Sequence, residues 1–225
     1  RLLTSVGISC GHESIFTGKG LNVARERMLL PACPSNRSAE YQSWLAYDAI
    51  TAEASYFAAP FIGEPPLESC RIIHVVRNPI RVIFSFCDEF DYFSILRFPM
   101  HGPEQFIQDH MLELGFNLKE MNNSILRATL FYVKWNELIE EKCKGKDFLF
   151  HRIEDDIQPV LNFIGKPQAT NYFRDKRANT KRHSIFDRTI HDIPDGDIKD
   201  MLIQKSIAYG YDLFIEKKAP RLLFL

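Results

Sequence analysis

No stretch of this chain approaches the roughly 20 apolar residues that a helix needs to cross a membrane, so no membrane span is expected within it. Nor is positive charge in surplus. The 28 Lys and Arg against 29 Asp and Glu leave a formal charge of −1, whereas nucleic-acid binders carry a strong basic bias, so no nucleic-acid partner is expected. The five cysteines (Cys10, Cys33, Cys70, Cys87, Cys143) include no CxxC pair. An odd number at irregular spacing makes neither a disulfide framework nor a zinc site. Reduced, mostly buried thiols are the expectation, and they favour a cytoplasmic location. His12-Glu13 lacks the following His of a zinc-protease helix, and no other ligand cluster stands out, so no metal is expected. Internal repeats and low-complexity tracts are also missing.

What is present is material for one core. Hydrophobic residues make up 45% of the 225, with eighteen Phe, enough for a single domain over residues 1–225. The apolar opening Arg1 to Val6 reads as the back half of a helix that ends at Gly7, followed by a short extended segment and a turn at Gly11. That opening leaves room for a targeting or anchoring segment upstream. A short helix is expected over about 21–30. The compact run Ser55 to Ile62, closed by Gly63 and Pro65, reads as a buried strand. The clearest strand is Arg71-Ile72-Ile73-His74-Val75-Val76, whose β-branched content suggests burial on both faces. Helices are expected from Pro79, from Pro103 to Leu114, from Ser124 to Lys142, through Val160 to Ile164, and from Asp197 to Tyr209. A second strand is expected at Phe148-Leu149-Phe150. Strands alternating with helices imply an α/β fold with a largely parallel sheet. Such folds bind ligands at the carboxyl ends of strands.

That rule directs attention to His74-Val75-Val76-Arg77-Asn78-Pro79-Ile80-Arg81-Val82-Ile83-Phe84-Ser85. Arg77 leaves the strand at its carboxyl end, and Ser85 follows two helical turns later. A guanidinium and a hydroxyl converging there would hold a phosphate, the Arg through charge-assisted bidentate bonds. The residues alone leave a second reading open, an Arg paired with a neighbouring carboxylate and a Ser in a helix interface.

The pattern of an apolar strand, Arg-Asn-Pro and a Ser eight residues after the Arg resembles the 3′-phosphate-binding motif of sulfotransferases that use PAPS (3′-phosphoadenosine-5′-phosphosulfate). Tyr132-Val133-Lys134-Trp135-Asn136, the strand end Arg152-Ile153-Glu154-Asp155, Leu161 to Gly165, the basic loop Asn179 to Ser184 and Ala208-Tyr209-Gly210-Tyr211 resemble later segments of that family. The resemblance implies a P-loop-type three-layer α/β fold, with a mostly parallel central sheet flanked by helices. It implies PAPS as co-substrate, Arg77 and Ser85 on its 3′-phosphate, and Lys181 and Arg182 in a loop closing over the nucleotide.

The family's Gly-rich loop around the phosphosulfate has no counterpart here. Arg1 to Val6 then align with the end of the helix that follows such a loop, and the chain is expected to be a domain truncated at its N-terminus, a poor PAPS binder by itself. On that alignment Glu13 falls where family members carry a general base, with His12 beside it. A positioned carboxylate or imidazole contributes roughly 10²–10⁴ in rate. Glu13 as a helix cap is the other reading. The expected function is transfer of a sulfuryl group to a hydroxyl of a carbohydrate, lipid or small metabolite. Two alternatives stay open: a phosphate-handling kinase relative using Mg²⁺ on Glu154-Asp155-Asp156, a cluster that helix capping also explains, and a non-catalytic binding module.

Overall fold

The structure, a computed structural model, describes residues 3, 8, 10–12, 22–23, 52–65, 67–89, 93, 103–169 and 187–214. Helices and parallel strands are mixed along the chain, an α/β arrangement. Strand β1 (Cys10–His12) pairs in parallel with β2 (Ala52–Ala54). Strand β3 (Ile72–Val76) pairs in parallel with β4 (Phe148–Arg152), with Ile72 opposite Phe148 and Val76 opposite Arg152. Parallel neighbours need a long crossover. Here it consists of α1 (Pro79–Phe84), α2 (Pro103–Glu113) and α3 (Ser124–Cys143). Helices α4 (Gln158–Phe163) and α5 (Asp197–Ala208) follow β4.

Helix α3 organises the core. The Asn123 side chain caps it, accepting from the Ile125 and Leu126 amides at 2.9 and 3.1 Å, which satisfies donors a helix start leaves orphaned. Its buried residues include Leu130, Phe131, Tyr132, Val133 and Trp135. Each such burial contributes about 2 kcal/mol. The Phe131 ring lies 5.4 Å from Phe93 and 5.0 Å from Trp135, centroid to centroid. The buried Arg127 guanidinium donates to the Leu118 and Phe93 carbonyls at 3.0 and 3.1 Å, so the charge is solvated by main chain.

On the other flank α3 meets β3 and α5. His74, buried in mid-strand, shares a 2.7 Å hydrogen bond between Nε2 and Asn136 Oδ1. Phe150 stacks 5.0 Å from Tyr209, whose hydroxyl donates to Glu140. Lys205 also reaches Glu140, at 2.8 Å.

Four expectations need correction. Ser55 to Ile62 is not a strand: Tyr56–Phe61 forms a 3₁₀ helix capped by the Ser55 hydroxyl, with Pro60 inside it. Pro60 has no N–H to give a ladder, and the turn buries Phe57 and Ala59. Gly11 is not a turn but the centre of β1. β3 is not buried on both faces, since Val75 is 53% exposed; its β-branched run reflects strand propensity. The four described cysteines are not mostly buried: Cys143 is, Cys10 and Cys87 are half-buried, and Cys70 is exposed. The helix end expected at Gly7 lies outside the described residues; Leu3 is helical and accepts from the Ile8 amide at 2.9 Å. Among the described residues no helix is long and apolar enough to cross a membrane.

Candidate functional site

The carboxyl ends of β3 and β4 lie side by side and gather polar groups from four parts of the chain. Arg77, half-buried, is the first residue past β3. Asn78 follows with φ −44° and ψ 119°, away from the helical region that a residue before proline avoids, and its side chain caps α1 by accepting from the Arg81 amide at 3.3 Å. Pro79 then opens α1, where its missing N–H costs nothing. Strand, extended step and helix therefore follow from Val76-Arg77-Asn78-Pro79 itself.

The backbone of this step is held on both sides. The Tyr132 hydroxyl, from α3, donates to the Arg77 carbonyl at 3.3 Å. The Asn78 amide donates to Glu154 Oε1 at 3.4 Å. Glu154 Oε2 accepts from the Tyr211 hydroxyl at 2.5 Å. Burial first, and the nearby Glu154 second, raise the Tyr132 and Tyr211 phenols far above their ordinary range, so both remain neutral donors at any physiological pH.

Arg152, the last residue of β4, is fully engaged. Its Nε lies 3.0 and 2.9 Å from the two Asp155 oxygens, its Nη2 lies 2.5 Å from Oδ1, and its Nη1 donates to the Gly210 carbonyl at 2.8 Å. This fork holds the Asp155 carboxyl below the usual carboxylate range. Gly210 has φ 74°, and a Cβ there would stand 2.9 Å from Arg152 Nη1. Only glycine suits both the left-handed turn and the close approach. By contrast, among the described residues none forms a hydrogen bond, ion pair or ring contact with the Arg77 guanidinium.

Ser85 stands at the far end of α1, half-buried, as the residue where the α-helix gives way to a single π turn, Ser85–Glu89. π turns inside helices occur frequently at functional sites. Asn78, Arg81 and Ser85 fall on one stripe at i, i+3 and i+7. Side chains on a helix lean toward its N-terminus, so Ser85 leans toward the end from which Arg77 projects. About 12 Å of rise along the chain separates the two backbones.

Of the other expected site residues, His12 is the last residue of β1. Glu13, Lys181 and Arg182 lie outside the described residues. Tyr56 and Phe57 pack with the core, where Phe57 is 2% exposed. The capping reading of Glu154-Asp155-Asp156 does not hold: Ile157 is the N-cap of α4, no side chain caps it, and Asp156 Oδ1 makes only a local bond, accepting from the Gln158 amide at 3.2 Å. Glu154 and Asp155 are engaged by Tyr211 and Arg152 instead. Among the described residues no three His, Cys, Asp or Glu side chains form a metal-binding group. Sequence reasoning missed the joint role of Tyr132, Glu154 and Tyr211. All three lie in segments singled out for their resemblance, but nothing local in the sequence says that they meet. In comparisons with protein-family models, curated proteins and solved structures, nothing matches the chain.

Proposed function

We propose that this chain belongs to a PAPS-dependent sulfotransferase that moves a sulfuryl group to a hydroxyl of a carbohydrate, lipid or small metabolite. The observation that carries the reading is the Arg77 guanidinium, half-buried at the carboxyl end of a parallel strand and without a partner among the described residues. Five forked donors in that position suit a phosphate. Strand-end binding is also where open α/β sheets take their ligands.

In this reading Arg77 grips the 3′-phosphate of the donor and the Ser85 hydroxyl adds a further bond, while Lys181 and Arg182 close over the nucleotide. Glu13, with His12 beside it, takes the acceptor's hydroxyl proton. The acceptor oxygen bonds to sulfur as the bond from sulfur to the phosphate oxygen breaks, and adenosine 3′,5′-bisphosphate departs. A P-loop-type three-layer fold with a mostly parallel central sheet, and a cytoplasmic location, go with this assignment. Magnesium-dependent phosphoryl transfer is less well supported, because Glu154 and Asp155 are engaged by Tyr211, the Asn78 amide and Arg152.

A transfer assay on the full-length protein tests the reading, with radiolabelled PAPS as donor, a panel of hydroxyl acceptors, and chelator present. Label transfer without Mg²⁺ is expected. Glu13→Gln should cut turnover about 100-fold or more and leave donor affinity within about twofold. Turnover that survives the substitution would reject Glu13 as the base. Donor binding with no transfer to any acceptor would favour a non-catalytic module.

A further inference from the structure

Glu154 links three segments that are far apart in sequence. Beyond β4, the Ile153 amide donates to the Val76 carbonyl at 2.9 Å, carrying the strand pairing one step past the register. That step sets Glu154 beside the Arg77-Asn78 exit. Its two oxygens then divide their work. Oε1 accepts from the Asn78 amide and Oε2 from the Tyr211 hydroxyl. Tyr211 is itself fixed, because its amide donates to the Ser206 carbonyl at 2.8 Å at the end of α5 and the preceding carbonyl is held by Arg152.

A carboxylate near an expected phosphate site is at first sight the wrong charge. Both its oxygens are, however, already occupied by donors. Its effect on the neighbourhood is mechanical: the peptide before Arg77 is held through the Val76 carbonyl by the Ile153 amide, and the peptide after it is held by Tyr132 at the Arg77 carbonyl and by Glu154 at the Asn78 amide, so the two dihedrals that aim the Arg77 side chain lie between two anchored peptide planes. We infer that Glu154, tied by Tyr211, is a positioning residue that fixes the strand exit so that the Arg77 guanidinium is presented to an anion. The inference deepens the sulfotransferase reading and rests on it for the identity of that anion. The plain alternative is a staple holding the C-terminal turn to the sheet.

The test uses the full-length protein as wild type, Glu154→Gln, Tyr211→Phe and the double variant, with two measurements on each. The first is amide hydrogen exchange over residues 77–81 without ligand. The second is calorimetric affinity for adenosine 3′,5′-bisphosphate and for 5′-AMP. Glu154→Gln should speed exchange at 77–81 and weaken bisphosphate binding about tenfold, leaving 5′-AMP within about twofold. Tyr211→Phe should do the same about threefold, and the double variant should be no worse than Glu154→Gln alone, since both act through one bridge.

Loss of melting temperature with an unchanged bisphosphate-to-AMP ratio would make the bridge a staple and overturn the inference. Should Glu154→Gln fail to fold, Tyr211→Phe decides by the same ratio. If wild type shows no preference for the bisphosphate, the sulfotransferase reading fails. Exchange at 77–81 then judges Glu154 alone: unchanged exchange overturns the positioning role, and faster exchange keeps it.

Discussion

Two arginines end up at neighbouring strand ends, Arg77 just past β3 and Arg152 closing β4 opposite Val76. Arg152 has its donors matched by Asp155 and the Gly210 carbonyl, with the Tyr211 ring 5.5 Å from its guanidinium carbon. Arg77 has none of this among the described residues. A guanidinium cannot lose its proton in a protein, so each must be solvated or paired. Arg152 is paired by its own fold. Arg77 is held at its main chain, and its tip meets no partner among the described residues, as the proposed anion site requires.

Charge reversal at Arg77 should break this contrast most severely. Arg77→Glu is expected to lower affinity for adenosine 3′,5′-bisphosphate by about 1,000-fold or more, because a like charge against phosphate costs several kcal/mol. Its urea midpoint should stay within error of wild type. Arg152→Ala should do the reverse. Losing a partly exposed carboxylate fork and a carbonyl bond is expected to cost about 1–2 kcal/mol of stability, a drop of several degrees in melting temperature. The Arg77→Ala protein is expected to melt with wild type. Equal destabilisation by the two substitutions would erase the distinction.

Smaller effects follow from pH. Burial lowers the pKa of His74, in the strand that leads to Arg77. The unfolded chain therefore takes up the proton first, and stability is full above the ordinary histidine value of 6.5. It should fall as pH drops below that value, by at most about 1.4 kcal/mol per unit, until the folded ring protonates too. Urea midpoints from pH 8 to 5 check this, and His74→Gln should flatten the slope. Asp155 behaves in the same direction in a more acid window. Its hydrogen bond to Arg152 lowers its carboxyl from the ordinary 3.8, so that contribution is present above 3.8 and lost as pH falls through the lowered folded value. Because both partners are solvent-accessible the change should be slight, and Arg152→Ala should abolish it.

The contrast between the two arginines was only half visible in sequence. Val76-Arg77-Asn78-Pro79 carries its own instructions: a β-branched run for the strand, proline to fix the helix start, asparagine to cap it. The same holds for α3, whose Asn123 cap and apolar stripe mark Ser124–Cys143 nearly to the residue. Ser55 to Ile62 misled because an apolar run of that length fits a strand or a tight helix equally well, and Pro60 with the Ser55 cap tips it to the second. Glu154 was hidden for another reason. It meets Asn78 across 76 residues and Tyr211 across 57, and no local pattern encodes a meeting that only the β3–β4 register brings about. Arg77 could be read as a candidate from its neighbours, whereas the partners that hold Arg152 and the Arg77-Asn78 peptide required the fold.

The most direct test of the account is a four-way comparison by calorimetry on the full-length protein: adenosine 3′,5′-bisphosphate and 5′-AMP, each against wild type and Arg77→Ala. The account predicts that wild type prefers the bisphosphate by about 100-fold, the worth of one charge-assisted bidentate contact, and that Arg77→Ala binds both nucleotides with nearly equal weakness. A preference that persists in Arg77→Ala, or one that wild type never shows, would contradict it.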